Sequence, residues 1–241
     1  LTVLFVGIGF QQARLDAPAV DEGVDVSSGV AALVHRDLRM VPEHPALPKA
    51  LAALPALLAG PVVPESEAWH EGEWFNWSDD FVAANEDAGS LDATFLWARM
   101  VVVAQGVAIA ALLYALASRF FGPDGGLVAA AACLTTPYFV GLGHFAMLDV
   151  PFTLAALALV LVTLRWLDRP TLARTAAVGA VLGLALATRH TGLVLAVWVV
   201  LVVVVKLRSR PFEALQGLVV VGLVSVLCLW AVYRGLSPSG P

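Results

Sequence analysis

Long blocks that are apolar on every side constrain this chain more than any other feature. Runs such as Val101–Ala117, Pro151–Leu164, Thr175–Ala187, Leu193–Val205 and Leu218–Ala231 show no polar face. In water they would expose more apolar surface than a single core can cover. In bilayer hydrocarbon they are at home, because a helix of about 20 residues crosses roughly 30 Å with its backbone groups satisfied internally. The chain is 59% hydrophobic and 14% charged, against about 45–50% and about 25% for soluble domains. The sequence predicts an all-α integral membrane protein. About seven transmembrane helices and a long first non-cytoplasmic loop with interfacial amphipathic helices are expected.

Charge is divided unevenly along the chain. Fifteen of the 19 acidic residues fall between Asp16 and Asp92. No basic patch with interleaved aromatics is present, so nucleic acid is not an expected partner. Cys133 and Cys228 lie inside apolar blocks and read as reduced packing residues.

The expected spans are Leu1 to about Ala13, Ala93–Ser118, Leu127–Phe145, Val150–Arg165, Arg174–Thr188, Thr191–Val205 and Ala214–Tyr233. The chain is read as one transmembrane domain over 1–241, with a loop at about 14–90 and a bundle at about 93–234. Arg119, then Arg165, Arg169 and Arg174, then Lys206, Arg208 and Arg210 occupy three short loops on a common side. The positive-inside rule makes that side cytoplasmic. The long loop, the turn at Gly143–Asp149 and the turn at Thr188–Thr191 then share the opposite face of a multi-pass protein of the cell membrane. Within the loop, Val20–Val34 and Leu47–Leu58 carry helical apolar spacing and are expected to lie in the interface. Trp69, Trp74, Phe75 and Trp77 suit the same depth, and Glu65–Asp92 reads as a mobile loop.

Five polar clusters are candidates for chemistry. Asp21-Glu22 fits either an acidic helix N-terminus or a general base held above the membrane. His44-Pro45-Ala46-Leu47-Pro48-Lys49 fits either a loop leading into a helix or a phosphate site with Lys49 as a point charge. Asp149, with His144 nearby, fits either a helix cap or a second carboxylate or metal ligand. Arg99, within an apolar span, either faces an interior or extends to the interface. Arg189 and His190 close the fifth span and fit an outward-reaching helix end. All five fall on the non-cytoplasmic face. Carboxylates and cations gathered there suit a hydroxyl nucleophile and a phosphate leaving group, with cations stabilising the charge that develops on the phosphate. A transporter or a non-catalytic subunit is the alternative. A transporter favours internal repeats and broken helices at the bilayer midplane, and no clear repeat is visible.

The order of these motifs resembles a known group. Asp21-Glu22 follows the first helix, His44-Pro-Ala-Leu-Pro-Lys49 leads into an amphipathic segment, Arg99 lies in the second span, and Leu148-Asp149-Val150-Pro151 opens the fourth. Gly183-Leu-Ala-Leu-Ala-Thr-Arg189-His-Thr-Gly192 is similar to a Gly-Leu-x-x-x-Thr-Lys-x-x-x-Gly stretch, with Arg189 in place of Lys. Together they resemble the protein O-mannosyltransferase and aminoarabinose transferase superfamily. Its members are GT-C fold glycosyltransferases that use polyprenyl-phosphate sugars. The resemblance implies a polyprenyl-phosphate-linked sugar donor, membrane lipids as surroundings, and a lipid, glycan or protein hydroxyl acceptor. It implies inversion at the sugar by direct displacement. It implies Asp21 as general base with Glu22 assisting. Lys49, Arg99 and Arg189 would stand around the lipid phosphate with His44 nearby, and Asp149 beside the base, with a divalent metal as the cofactor left open. These groups are then expected to line one cavity. Two departures stand out: Ala46 replaces the usual second proline, and His144 lies nearest the place of a usual arginine. Family members generally carry more helices, so the chain is expected to be either a minimal core or a fragment.

Overall fold

The computed structural model describes residues 1–237, and the described residues are helical with no strand. The helices are α1 (Thr2–Leu15), α2 (Val20–Val34), α3 (Ala46–Ala56), α4 (Glu67–Glu71), α5 (Trp74–Asp87), α6 (Leu91–Thr135), α7 (Pro137–Leu142), α8 (Asp149–Asp168), α9 (Leu172–Leu186), α10 (Gly192–Lys206) and α11 (Pro211–Leu236).

Three of these, α6, α8 and α11, are long and apolar enough to cross a membrane. Helices α9 and α10 are apolar but have 15 residues each, about 22 Å of rise, which is short of the roughly 30 Å hydrocarbon core. Helix α1 has 14 residues. Length and composition therefore support three spans and do not establish the seven expected. The second and third expected spans correspond to the two arms of α6, which meet at Gly122 with φ 75° and ψ 175°, where the chain folds back so that Gly126 lies against Tyr114 and Ser118. Glycine tolerates that positive φ, and Pro123 behind it disrupts the helical ladder. The third expected span also ends early. Helix α6 stops before Thr136, whose extended backbone precedes Pro137, because the residue before a proline is pushed out of the α region.

Several buried clusters result among the described residues, and two of them carry the packing of the long helices. Leu159 and Trp166 of α8, Val178 and Leu182 of α9, Val199 and Val203 of α10, and Val221 of α11 form one buried cluster. The second region brings α2 and α3 against α6 through Val26, Ala52, Ala56, Phe95, Ala98 and Val102. Large apolar side chains on the other faces, including Val197, Leu201, Leu223, Leu227 and Trp230, are exposed. That surface is the signature of a lipid-facing exterior rather than a wet one.

The loop region differs from expectation in two respects. Glu65–Asp92 is folded: α4 and α5 occupy most of it, and Trp69, Trp77 and Phe81 are buried against Val30, Ala31, Met40 and Ala53. Asn85 joins this unit to the preceding extended stretch, accepting from Val62 N–H and donating to Val62 O, each at 2.8 Å. Trp69 and Trp77 thus serve a core rather than a lipid interface. Helix α2, expected to lie with one face in the interface, is buried almost continuously from Glu22 to Ala32.

Helices α2 and α3 touch through Gly29. A Cβ there would fall 2.3 Å from the Lys49 carbonyl oxygen, and backbone cannot move aside as a flexible side chain does. Gly29→Ala is expected to lose about 1–3 kcal/mol, the usual range for overpacking. A thermal melt in detergent checks this. An unchanged melting temperature would mean that α2 and α3 are not in backbone contact.

Candidate functional site

The candidate residues fall into three polar assemblies at one end of the molecule. The first is a buried ion pair. Arg99 of α6 is 2% exposed and Glu22 of α2 is 0% exposed. Arg99 Nε donates to Glu22 Oε1 at 2.8 Å and Nη2 donates to Glu22 Oε2 at 2.7 Å. Nη1 donates to the carbonyls of Ala13 and Asp16 at 2.8 Å each, and Nη2 to Ala17 O at 3.2 Å. Glu22 Oε1 also accepts from Ala146 N–H at 2.8 Å, and Oε2 from Ala19 N–H at 3.3 Å. Phe95 and Phe145 flank the guanidinium at 5.8 and 5.4 Å. All five guanidinium N–H groups are engaged. In this structure Arg99 has none to offer the phosphate that the family resemblance implied for it. What it does hold is four segments: the end of α1, the start of α2, α6, and the turn before α8.

Asp21 immediately precedes Glu22 and is exposed in the first turn of α2. No hydrogen bond or ion pair engages its carboxylate among the described residues. A free carboxylate beside a fully locked neighbour is a group with a fixed position and an open front.

The second assembly is built on Asp25, one helical turn beyond Asp21 and not singled out from sequence. It is 3% exposed. Its Oδ1 lies 3.2 Å from His44 Nδ1. Lys49, also buried, donates from Nζ to Val41 O at 3.0 Å. Val41 has φ +54°, an unfavourable conformation for a β-branched residue, and Lys49 secures it. Burial pushes the Asp25 carboxyl above its ordinary range, opposed by His44 and Lys49. Burial pushes the Lys49 ammonium down to about 8, opposed by Asp25 and Glu43. The folded chain therefore binds the Lys49 proton less tightly than the unfolded chain, whose lysine titrates near 10.5. Its contribution disfavours the fold below about pH 8 and is relieved as pH rises toward 10.5. Lys49→Met should remove that rise in stability. Melts across this pH window check it, and an equal rise in the variant would contradict it.

The third assembly is at the start of α8. Arg189 Nη1 donates to Asp149 Oδ1, in a pair that is 41% and 62% exposed at its two side chains. It ties the C-terminal end of α9 to the N-terminal end of α8. His144 is buried, with Nε2 2.9 Å from Asp16 Oδ2, a close approach poorly aligned for a hydrogen bond. Burial chiefly lowers the affinity of His144 for a proton. His190 is exposed.

Backbone bonds join the assemblies. Ala146 reaches Glu22, and Leu47 N–H donates to Ala187 O at 3.3 Å. The segments holding Asp21, His44, Asp149 and Arg189 thus adjoin, as their expected common side requires. None of four cavities among the described residues is lined by them together. The crevice between α2, α3, α6 and the turn before α8 touches Asp25, Lys49, Gln105 and Met147 but not Asp21, Asp149 or Arg189, and its volume is about 10 Å³, room for about one water. The residues also do not fit a metal. No group of three or more His, Cys, Asp or Glu side chains converges among the described residues, and Asp149 and His144 each face a different partner.

A family model described as dolichyl-phosphate-mannose-protein mannosyltransferase matches residues 91–233, from the start of α6 to near the end of α11. No curated protein and no solved structure matches the chain.

Proposed function

The chain belongs to the dolichyl-phosphate-mannose-protein mannosyltransferase family, a membrane glycosyltransferase family of GT-C type, and from that premise we propose that it transfers a mannosyl group from a polyprenyl-phosphate carrier to a hydroxyl acceptor at the non-cytoplasmic face. The observation that carries the proposal is Asp21, exposed and unengaged, next to a glutamate locked by a buried arginine of the family-matched region.

In this mechanism the acceptor hydroxyl oxygen attacks the anomeric carbon of the donor. The bond from that carbon to the phosphate oxygen breaks, and the electron pair leaves with the polyprenyl phosphate. Asp21 takes the hydroxyl proton. A single displacement inverts the anomeric centre, and no covalent enzyme intermediate forms. The departing phosphate gains negative charge. Arg189 and His44, both partly exposed, meet it, and Lys49 stands behind them. Asp149 holds Arg189 in place. Glu22 and Arg99 set the position of Asp21. The apolar outer faces of α10 and α11 suit the carrier chain in lipid.

The test compares two donors with the purified chain: mannose on a polyprenyl phosphate and mannose on a nucleotide diphosphate. Transfer from the lipid-linked donor alone is expected. Equal or exclusive use of the nucleotide donor would overturn the proposal.

A further inference from the structure

Among the described residues, Asp25 is a buried carboxylate at this end of the molecule that the mechanism above does not use. It is 3% exposed, yet its hydrogen-bond partner His44 has a side chain 43% exposed. The two come from α2 and from the turn before α3. With Nδ1 directed inward at Asp25 Oδ1, the ring geometry turns Nε2 toward the open side. Pro45, itself buried, limits the backbone behind the ring. The Leu47–Ala187 backbone bond seats this turn against the segment of Arg189. Two side chains able to carry positive charge therefore flank one region.

The charged groups around Asp25 are His44, Lys49 and Asp21, and Glu43 acts on Lys49. Lys49 directs its hydrogen bond to the Val41 carbonyl, which leaves the direct bond to Asp25 with His44. A buried carboxylate bonded to one nitrogen of an imidazole fixes the ring's orientation and its tautomer.

We propose that Asp25 is a positioning residue that holds His44 with Nε2 aimed outward to bind the phosphate of the polyprenyl carrier. The inference rests on the proposed function and adds to it a residue that touches neither donor nor acceptor. With hydrogen on both ring nitrogens, Nδ1–H donates to Asp25 and Nε2–H donates to a phosphate oxygen. The bond strengthens as the phosphate becomes a leaving group.

Binding of a polyprenyl monophosphate to the full chain in lipid nanodiscs tests this without turnover. His44→Gln and Asp25→Asn are each expected to weaken binding about tenfold or more, the loss of a hydrogen bond between charged groups. The double variant is expected to bind no more weakly than either single one. In transfer assays both should lower kcat more than they raise KM. Binding by Asp25→Asn equal to the unaltered chain, or losses that multiply in the double variant, would overturn the inference. Nitrogen NMR of the His44 ring in the unaltered protein gives a second reading that needs no variant to fold. The neutral ring should carry its proton on Nδ1, and a proton on Nε2 instead would overturn the inference. Phosphate binding that ignores Asp25 while mannosyl transfer proceeds sinks the dyad alone. Binding that depends on the dyad in a chain that transfers no mannose sinks the proposed function alone.

Discussion

Asp21→Asn should lower mannosyl transfer by about 10²–10⁴-fold, the usual contribution of a positioned general base, while the protein stays folded. Both halves of the expectation come from the same geometry. Asp21 is exposed and bonds to no described side chain, so the amide displaces nothing. Its stabilising role among the described residues is that of an acidic group in the first turn of α2, worth about 0.3–1 kcal/mol. The backbone around it is held by Glu22, not by Asp21 itself. Loss of rate with an unchanged melting temperature is therefore the specific signature. A variant that transfers at the original rate would remove Asp21 from the chemistry. A variant that melts many degrees lower would assign it a structural role instead.

The opposite signature is expected one residue on. Glu22→Leu or Arg99→Met leaves a single charge buried, 0% or 2% exposed, with its former partner gone. Breaking such a pair costs about 3–5 kcal/mol, against a total stability of about 5–15 kcal/mol for a typical domain. Either variant should yield little folded protein. The double variant Glu22→Leu with Arg99→Met should recover part of the loss, because it removes both charges together. It should not recover activity. The carbonyls of Ala13, Asp16 and Ala17 and the N–H groups of Ala19 and Ala146 lose the groups that hold α2 and its Asp21 in place. Expression level and melting temperature of the three variants check this. Single variants as stable as the unaltered chain would show that the pair does not organise the site.

The membrane-spanning character was legible because it is a bulk property: apolar blocks without a polar face have few alternatives. The break in α6 was legible. The glycines and proline at 122–126 were visible as a turn, and beyond Gly122 the chain folds back so that Gly126 lies against Tyr114 and Ser118. Charge misled the reading of Glu65–Asp92. Its acidic residues suggested solvated chain, yet Trp69, Trp77 and Phe81 recur at spacings of eight and four and anchor two helices in a core.

The candidate residues were found through their order, but their partners were not. Arg99 and Glu22 are 77 residues apart, and Glu22 and Ala146 are 124 apart. No local periodicity encodes such pairs. Asp25 left a faint signal, four residues after Asp21 and so on the same helical face, with a histidine and a lysine in the next segment. The pairing also sorts these groups. Glu22 satisfies Arg99, and Asp149 holds Arg189. The residues expected around one phosphate thus divide into scaffold at Arg99 and Glu22 and exposed groups at Asp21, His44 and Arg189.

The most direct test supplies the purified chain with mannosyl polyprenyl phosphate and a hydroxyl acceptor and determines the anomeric configuration of the product. The account predicts mannose transferred with inversion by the unaltered chain, and almost none by Asp21→Asn under the same conditions. Transfer with retained configuration, or transfer unaffected by Asp21→Asn, would contradict it.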